Sequence, residues 1–263
     1  MKALRALLRT VAMVVVLAVV LFAAYEYTER PASQLFGKTL VHGPRNQKIV
    51  ALTFDDGPNP PYTDEILDVL KQDGVHATFF LVGRAVAAYP NVVRREVKLG
   101  NAVGNHTWAH QHLDIMTPQQ IATSLDRTEN AIAAAAGVRP RIMRPPYGKR
   151  DWLVLGEVRR LGYTPVMWSV PLAHDWLYPP PKTIARRILR YVRDGSIIVL
   201  HDGNQGRLCA LDHLAPHVCD RSQDVGATRI IVSMLKREGY RFVTIPQLLR
   251  LRPPTRRSGR AGE

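Results

Sequence analysis

The sequence predicts an α/β fold in which parallel strands form a sheet or a barrel. Short apolar segments rich in β-branched residues alternate with segments of helical spacing over residues 46–250, and about 200 residues suit one full α/β core. Polar clusters directly follow four of the predicted strands, and parallel α/β folds carry their chemistry at the carboxyl ends of strands. We therefore expect one domain with its functional site at that end of the strands.

The predicted strands are apolar, and turn-forming residues bound them. They cover residues 49–54, 77–82, 102–104, 141–143, 164–168, 196–200 and 241–243. The predicted helices have apolar residues three and four positions apart, and they cover residues 63–72, 90–99, 118–136, 152–161, 183–192 and 227–238. Thr63 and Thr117 are the predicted N-caps, because a hydroxyl can accept from the free amides of a first helical turn.

The N-terminus has the pattern of an export or anchoring signal. Residues 1–9 are a basic flank without an acid, and residues 10–25 follow as an apolar stretch. Such a flank stays in the cytoplasm while the following chain crosses the membrane. A cleaved signal peptide is the alternative, but a cut after Ala24 would put Phe22, not a small residue, three positions back. We therefore expect a single-pass membrane anchor with the domain outside the cytoplasm, or a secreted protein if the signal is cleaved.

The remaining segments and the charge complete the outline. Residues 26–45 are the predicted linker, residues 46–250 the domain, and residues 251–263 a basic, disordered tail. The net charge of +14 is spread along the chain without a basic block interleaved with aromatics, which argues against nucleic acid as a partner. The charge suits either solubility or attraction to anionic wall polymers or lipid head groups. Nothing in the sequence indicates an obligate protein partner.

Three residues form the predicted metal site. Asp56 follows the strand over residues 49–54, and His106 and His110 are four positions apart, so on a helical turn they would share a face. Two imidazoles and one carboxylate leave positions open for water and substrate, as a catalytic zinc site requires. Without Asp56, two surface histidines on a helix would be the better interpretation.

Asp55 and His201 are the candidates for acid–base chemistry. Adjacent carboxylates at a strand end cannot point the same way, so Asp55 can face a substrate while Asp56 binds an ion, although the same residues also suit an ordinary turn. His201 follows the strand over residues 196–200, and an imidazole pKa near neutrality suits a general acid. A histidine buried for packing is the alternative.

Five motifs then carry a family resemblance. They are TFDDGP at 53–58, HTWAH at 106–110, RPPY at 144–147, DW at 175–176 and LHD at 200–202. In this order they resemble the motifs of the polysaccharide deacetylases, the NodB-like carbohydrate esterases of family 4, over residues 46–250. The resemblance implies a distorted (β/α) barrel and an enzyme that removes acetyl groups from an acetylated glycan. It also implies one divalent metal ion, usually zinc, with cobalt or another divalent ion as the alternative, on Asp56, His106 and His110.

The resemblance also implies the roles of the residues around the ion. Asp55 would be the general base, and Arg144 would pair with it and orient it. His201 would be the general acid, and Asp175 would tune it. The family often has a further Asp shortly before the Asp-Trp pair, but residues 168–174 contain none, so this chain departs from the family pattern next to Asp175.

The acetyl group itself would meet three residues. Tyr147 would offer its backbone N–H to the oxyanion, and Trp176 and Leu200 would wall the acetyl pocket. The membrane anchor favours a substrate near the cell surface, so we expect removal of N-acetyl groups from N-acetylglucosamine-type residues of a glycan such as peptidoglycan. An O-acetyl esterase of the acetyl-xylan type and a chitooligosaccharide deacetylase remain as alternatives, and a non-catalytic glycan-binding module is a remote third.

The only two cysteines, Cys209 and Cys219, lie in a segment after His201. Their spacing with His213 and His217 suits a Cys₂His₂ zinc site. In an oxidising compartment, however, two cysteines that close a short loop more often form a disulfide. We therefore predict a disulfide that closes a loop beside the mouth of the active site.

Overall fold

Seven parallel strands form the centre of the protein in a computed structural model, which describes residues 2–209 and 211–251. The strands are β1 (Ile49–Asp55), β2 (Thr78–Leu81), β3 (Ala102–Asn105), β4 (Ile142–Met143), β5 (Thr164–Pro165), β6 (Ser196–His201) and β7 (Arg241–Phe242). Their order in the sheet is β5-β4-β3-β2-β1-β6, and β7 pairs with the first two residues of β1. The predicted tail lies outside the described residues except for Leu251.

Nine helices accompany the strands within the described part of the chain. They are α1 (Lys2–Glu29), α2 (Tyr62–Asp73), α3 (Gly83–Ala88), α4 (Pro90–Lys98), α5 (Pro118–Ala136), α6 (Trp152–Arg160), α7 (Pro181–Leu189), α8 (Ser222–Arg237) and α9 (Ile245–Arg250). The sequence did not predict the short helices α3 and α9, and α8 begins five residues before its predicted start at 227.

The two predicted N-caps have different outcomes. Thr117 caps α5 as predicted, in a reciprocal capping box with Gln120. The prediction for Thr63 is wrong, because α2 begins at Tyr62 and Thr63 lies inside its first turn. Its buried hydroxyl instead donates to Asp202 Oδ2 at 2.6 Å, which ties α2 to the end of β6.

Residues 39–43 join the two edges of the sheet. The Leu40 amide donates to the carbonyl of Pro165 at 2.9 Å, and the Gly43 amide donates to the carbonyl of Gly195 at 2.7 Å. Leu40 and Val41 are buried. This link curls the sheet into the predicted distorted barrel, so the end of the segment predicted as a linker is a packed part of the fold.

The two faces of β1 decide where the site can lie. Leu52 and Phe54 pack into the cluster beneath α2 and α8, whereas Ala51 packs into the cluster inside the barrel. Side chains alternate along a strand, so Thr53 and Asp55 share the inner face with Ala51. The polar end of β1 therefore opens into the barrel.

The described side chains of helix α1 are largely exposed, and its C-terminal end contacts the domain. Its segment Ala3–Glu29 is long and apolar enough to cross a membrane, a criterion that a signal sequence near an N-terminus also meets. Lys149 Nζ lies 2.7 Å from Glu29 Oε2, and the Arg150 guanidinium donates to the carbonyls of Arg30 at 2.6 Å and Ser33 at 3.1 Å.

Candidate active site at the carboxyl ends of the strands

Asp55 and Asp56 diverge at the end of β1. Asp56 has a φ of 79°, in the left-handed region, so the chain turns sharply between the two carboxylates. Asp55 Oδ1 accepts from Arg144 at 2.6 Å, whereas Asp56 Oδ2 accepts from the backbone amide of Gln205 at 2.7 Å. The neighbouring aspartates therefore face different partners, as the sequence led us to expect.

Close backbone packing holds this turn. A Cβ on Gly203, just after β6, would lie 2.3 Å from the backbone carbonyl of Asp56, so only glycine allows the two strand ends to approach this closely. The position of Asp56 thus depends on the loop after β6 as well as on β1.

Asp56, His106 and His110 form a buried cluster that fits a divalent ion. Asp56 Oδ1 lies 3.4 Å from His106 Nε2 and 3.2 Å from His110 Nε2, and one ligand atom from each residue lies within 4.8 Å of the others. The same oxygen has no hydrogen-bond partner among the described residues, although it is buried. A cation between these three atoms would satisfy it, and one carboxylate with two imidazoles is a donor set for transition metals.

The protonation states also suit metal binding. Burial would raise the pKa of Asp56, but His110 and His106 hold it well below its usual range, so Asp56 is ionised. Burial lowers the pKa of His110 to about 4, so its imidazole is neutral at neutral pH. His106 Nδ1 lies 2.7 Å from the carbonyl of Arg144, which assigns the proton to Nδ1 and leaves Nε2 free as a ligand.

The backbone between the two histidines differs from the expectation. The sequence predicted a helical turn, but residues 106–110 form a loop in which Thr107 and His110 have positive φ values of 67° and 53°. The imidazoles still meet, with ring centroids 5.0 Å apart. The loop, rather than a helix face, brings them together.

Arg144 fixes Asp55 inside the barrel. Its guanidinium is fully buried and donates to Asp55 Oδ1 at 2.6 Å, to Thr53 Oγ1 at 2.9 Å and to the carbonyl of Met167 at 3.2 Å. A buried charge needs a partner of opposite sign and filled hydrogen bonds. Arg144 meets both needs through contacts that restrict Asp55 to one orientation.

Asp175 contacts His201 through both carboxylate oxygens. His201 Nδ1 lies 3.0 Å and 2.9 Å from Asp175 Oδ1 and Oδ2, and the backbone amide of His201 donates to Oδ2 at 2.8 Å. Burial would lower the pKa of His201, but the charge and hydrogen bond of Asp175, with Asp56 and Asp55, raise it to about 9. His201 therefore carries a proton at neutral pH.

These groups meet in one cavity of about 230 Å³. Asp55, Asp56, His106, His110 and His201 all line it. The other lining residues are Pro145, Tyr147, Gly148, Trp168, Leu172, Trp176, Val199, Gln205 and Arg221. A concave cavity with a few convergent polar groups is the kind of place where proteins bind small ligands.

Two of the three predicted acetyl contacts line this cavity, and one does not. The Trp176 and His201 rings pack edge to face, with their centroids 5.5 Å apart. The centroid of the Tyr147 ring lies 4.4 Å from that of the His110 ring, and Tyr147 has a φ of 59°. Leu200 instead lies in the core beneath α2 and α8, because alternation along β6 turns it away from His201. Val199, two residues before His201, lines the cavity in its place.

Cys209 and Cys219 form the predicted disulfide, with Cα atoms 6.0 Å apart. Both sulfurs are therefore unavailable for the alternative zinc site. The disulfide closes part of the segment that begins with Gln205, whose amide holds Asp56. A salt bridge of 2.6 Å between Arg84 and Asp212 also attaches this loop to α3. The loop therefore borders the candidate metal centre.

Sequence reasoning missed several lining residues. Trp168 ends a predicted strand, Pro145 lies within the motif at 144–147 and Gly148 follows it, so their positions were visible although no role was assigned. Val199 follows from strand alternation once His201 is placed. No sequence signal indicated Gln205, because its contribution is a backbone amide.

Comparisons with known proteins agree with this geometry. The family profile described as polysaccharide deacetylase matches residues 42–166. The chain is 35% identical over 208 residues to a peptidoglycan-N-acetylglucosamine deacetylase of Bacillus cereus, covering 79% of this chain and 91% of that protein. It is 38% identical over 203 residues to a chitooligosaccharide deacetylase of Bradyrhizobium sp., covering 76% and 90%.

A solved structure shares the fold. The crystal structure of a peptidoglycan N-acetylglucosamine deacetylase superposes with a TM-score of 0.72 at 34% identity, and the match covers 80% of this chain and 92% of that one. The similarity in fold thus extends over most of the chain.

Proposed function

The chain belongs to the polysaccharide deacetylase family, and on that premise we propose that it hydrolyses N-acetyl groups of N-acetylglucosamine-type residues in a cell-surface glycan such as peptidoglycan. One observation carries the proposal. A buried cluster that could hold a metal ion lies in a single cavity together with a carboxylate bound by arginine and a histidine bound by aspartate. The substrates named for the Bacillus cereus relative and for the superposed structure support the choice of glycan.

Asp56, His106 and His110 would hold one divalent ion, for which we propose zinc, with cobalt or another divalent ion as the alternative. When bound there, the ion would polarise the acetyl carbonyl and lower the pKa of a bound water from about 15.7 toward about 7. The neutral imidazole of His110 and the ionised carboxylate of Asp56 are in the states that such a ligand set requires.

Asp55 would act as the general base. Its carboxylate lines the cavity, and the Arg144 guanidinium holds one of its oxygens at 2.6 Å. It would accept the proton of the attacking water. The backbone N–H of Tyr147 would donate to the oxyanion, and loss of one such donor typically costs about 3–4 kcal/mol of transition-state stabilisation. Trp176 and Val199 would exclude water from the acetyl methyl group.

His201 would act as the general acid. Nδ1 of His201 is hydrogen-bonded to Asp175, so the proton on Nε2 can be transferred to the substrate. The raised pKa keeps that proton in place until the C–N bond breaks. An amide anion is a very poor leaving group, so this acid matters more for an N-acetyl group than for an ester.

An O-acetyl esterase and a chitooligosaccharide deacetylase are the competing functions. The Bradyrhizobium relative supports the second. A protonated His201 favours amide over ester hydrolysis, which weighs against the first. A non-catalytic glycan-binding module would need neither a base nor an acid beside a metal site, and the presence of Asp55 and His201 in the cavity with the candidate ligands weighs against it.

A side-by-side substrate panel tests the proposal. Zinc-loaded full-length protein is incubated with peptidoglycan, N-acetylglucosamine oligomers and acetyl-xylan, and acetate release is measured at equal acetyl concentration. We expect the highest kcat/KM on peptidoglycan. Preference for acetyl-xylan would contradict the proposal, and preference for short oligomers would replace peptidoglycan with the chitooligosaccharide alternative.

We further propose that α1 anchors the protein in the cell membrane with the domain outside the cytoplasm. The length and apolar composition of the segment support this, as does the basic flank before it. The test is the mass of the protein recovered from alkali-washed membranes of the expressing cell. An intact N-terminus in that fraction is expected, and a shortened chain in the medium would favour a cleaved signal.

A further inference from the structure

A second buried aspartate lies behind the pair formed by Asp175 and His201. Asp224 is the third residue of α8, and it has no exposed surface. Its Oδ2 accepts from Gln223 Nε2 at 3.2 Å, while its Oδ1 has no hydrogen-bond donor among the described residues. A buried carboxyl oxygen without a donor is unusual and calls for an explanation.

The carboxyl group of Asp175 provides one. The Asp224 and Asp175 side chains are close enough to share a hydrogen bond, and two carboxyl groups can share one only if one of them carries a proton. Asp175 accepts from both the ring and the backbone amide of His201, so it is the ionised partner. The proton therefore belongs to Asp224, whose pKa burial and the Asp175 charge raise well above its usual range.

The positive charge of Arg221 would favour the ionised form of Asp224, because it lowers the pKa of that carboxyl group. Its NH1 lies 3.9 Å from Asp224 Oδ2, which is beyond hydrogen-bond distance, and this NH1 has no partner among the described residues. The Nε of the same guanidinium donates to the carbonyl of Gly203 at 2.7 Å. Asp202 also faces Asp224, and its proximity raises the pKa of Asp224 further. The surroundings thus favour the neutral form.

We propose that Asp224 is a positioning residue for the general acid: its protonated carboxyl donates to Asp175 and fixes the carboxylate that orients His201. This inference rests on the proposed role of His201. The O–H of Asp224 would supply a further donor to Asp175, so that the two oxygens of Asp175 stay aligned with His201 Nδ1. Asp224 does not itself line the cavity.

Two substitutions separate this role from a charged one. Asp224→Asn keeps the shape, the neutrality and an N–H donor toward Asp175. Asp224→Leu keeps the branched shape and the neutrality but removes the donor. Thr228→Val is the matched control, because Thr228 is equally buried one turn further along α8 and its hydroxyl has no partner among the described residues.

The readout is the pKa of the His201 ring, measured by NMR titration of ¹⁵N-histidine-labelled, zinc-loaded full-length protein in detergent and assigned with His201→Gln. Loss of the donor leaves Asp175 more basic, so Asp224→Leu should raise the His201 pKa by roughly half a unit, while Asp224→Asn and Thr228→Val should leave it unchanged. On acetylated substrate, Asp224→Leu should lower kcat about tenfold with KM within about twofold, and Asp224→Asn should restore kcat.

An ionised Asp224 predicts the opposite sign. Both Asp224→Asn and Asp224→Leu would then remove a negative charge and lower the His201 pKa, and that result overturns the inference. An unchanged pKa in Asp224→Leu overturns it as well. If Asp224→Leu does not fold, the sign in Asp224→Asn decides between the neutral and the ionised form. The NMR result stands even if no substrate releases acetate, so failure of the proposed function is distinguishable from failure of this inference.

Discussion

Asp55 and Asp56 show how much of this site depends on single residues. They are adjacent in the chain, but the left-handed backbone of Asp56 directs one carboxylate to Arg144 and the other to two imidazoles. One residue can therefore hold an ion while its neighbour accepts a proton. Substitution of either should remove a different part of the activity.

We predict that Asp55→Asn abolishes turnover but keeps the metal. The amide has the same shape but cannot accept the proton, so kcat should fall about 10²- to 10⁴-fold. Zinc content by atomic absorption should stay near one per chain, and circular dichroism should report whether the now unpaired Arg144 disturbs the fold. In His106→Ala, by contrast, zinc should be lost. Normal activity in both variants would refute the mechanism.

The pH dependence follows from His201. A general acid works only while protonated, so kcat/KM should decline on the alkaline side as His201 loses its proton, with a midpoint at or below about 9 because a bound cation opposes the carboxylates that raise this pKa. In Asp175→Asn the raising charge is gone while burial still lowers the pKa of His201, so this limb should move down by about two units. An alkaline limb at the same pH in both proteins would argue against His201 as the acid.

At the scale of elements, the site is a meeting of strand ends and the loops that follow them. The sequence showed which strands carried polar residues, so the cluster of Asp56, His106 and His110 in one cavity with Asp55 and His201 was predictable from the order of strands and the family motifs. The sequence did not reveal which residue of β6 faces the cavity: Leu200 was expected there, and Val199 lines it instead. That choice depends on which face of β6 meets the barrel interior, which is a property of packing.

Three other structural features could not be predicted from the sequence. Helices α3 and α9 have six residues each, too few to show a clear helical period. Asp224 fell outside the predicted helix because the apolar periodicity of α8 is visible only from about residue 227. Leu40 bonds to a residue 125 positions later, and no local pattern reveals such a partner.

The close packing of Gly203, after β6, against Asp56, after β1, can be tested by substitution. Gly203→Ala adds a Cβ that would lie 2.3 Å from the Asp56 carbonyl, so the backbone must move and the metal ligand with it. We expect a loss of zinc affinity of at least tenfold, measured by competition with a chelator. Gly156→Ala is the control, because its Cβ meets nothing within 4 Å and alanine favours its exposed position in α6 by roughly 0.5–1 kcal/mol. Equal zinc affinity in the two variants would contradict the close packing.

The disulfide loop is the other element to test. Cys209 and Cys219 are 10 positions apart, and cross-linking a loop of this size stabilises a fold by about 3 kcal/mol in the chain-entropy model. The double Cys→Ala variant should therefore melt about 5–10 °C lower by calorimetry. A reductant should lower the melting temperature of the native protein and leave that of the variant unchanged. An unaltered melting temperature would mean that the loop is held by its other contacts, such as the bridge between Arg84 and Asp212.

At the scale of the whole molecule, the segment between the N-terminal helix and β1 packs against the barrel. Residues 39–43 join the edges of the sheet. Between them and α1, Arg30 accepts a hydrogen bond from Arg150, and the last residue of α1, Glu29, pairs with Lys149. Composition alone predicted the apolar segment and the α/β domain. It could not predict that the intervening residues would pack, because their partners are distant in sequence.

The central claim is that this cavity hydrolyses an amide of an acetylated glycan. The most direct test measures acetate and new glucosamine amino groups together, on peptidoglycan treated with the zinc-loaded full-length protein. We predict one free amine for each acetate released, and neither product with Asp55→Asn. Acetate without amines would identify an esterase, and absence of both products from peptidoglycan under these conditions would contradict the proposed substrate.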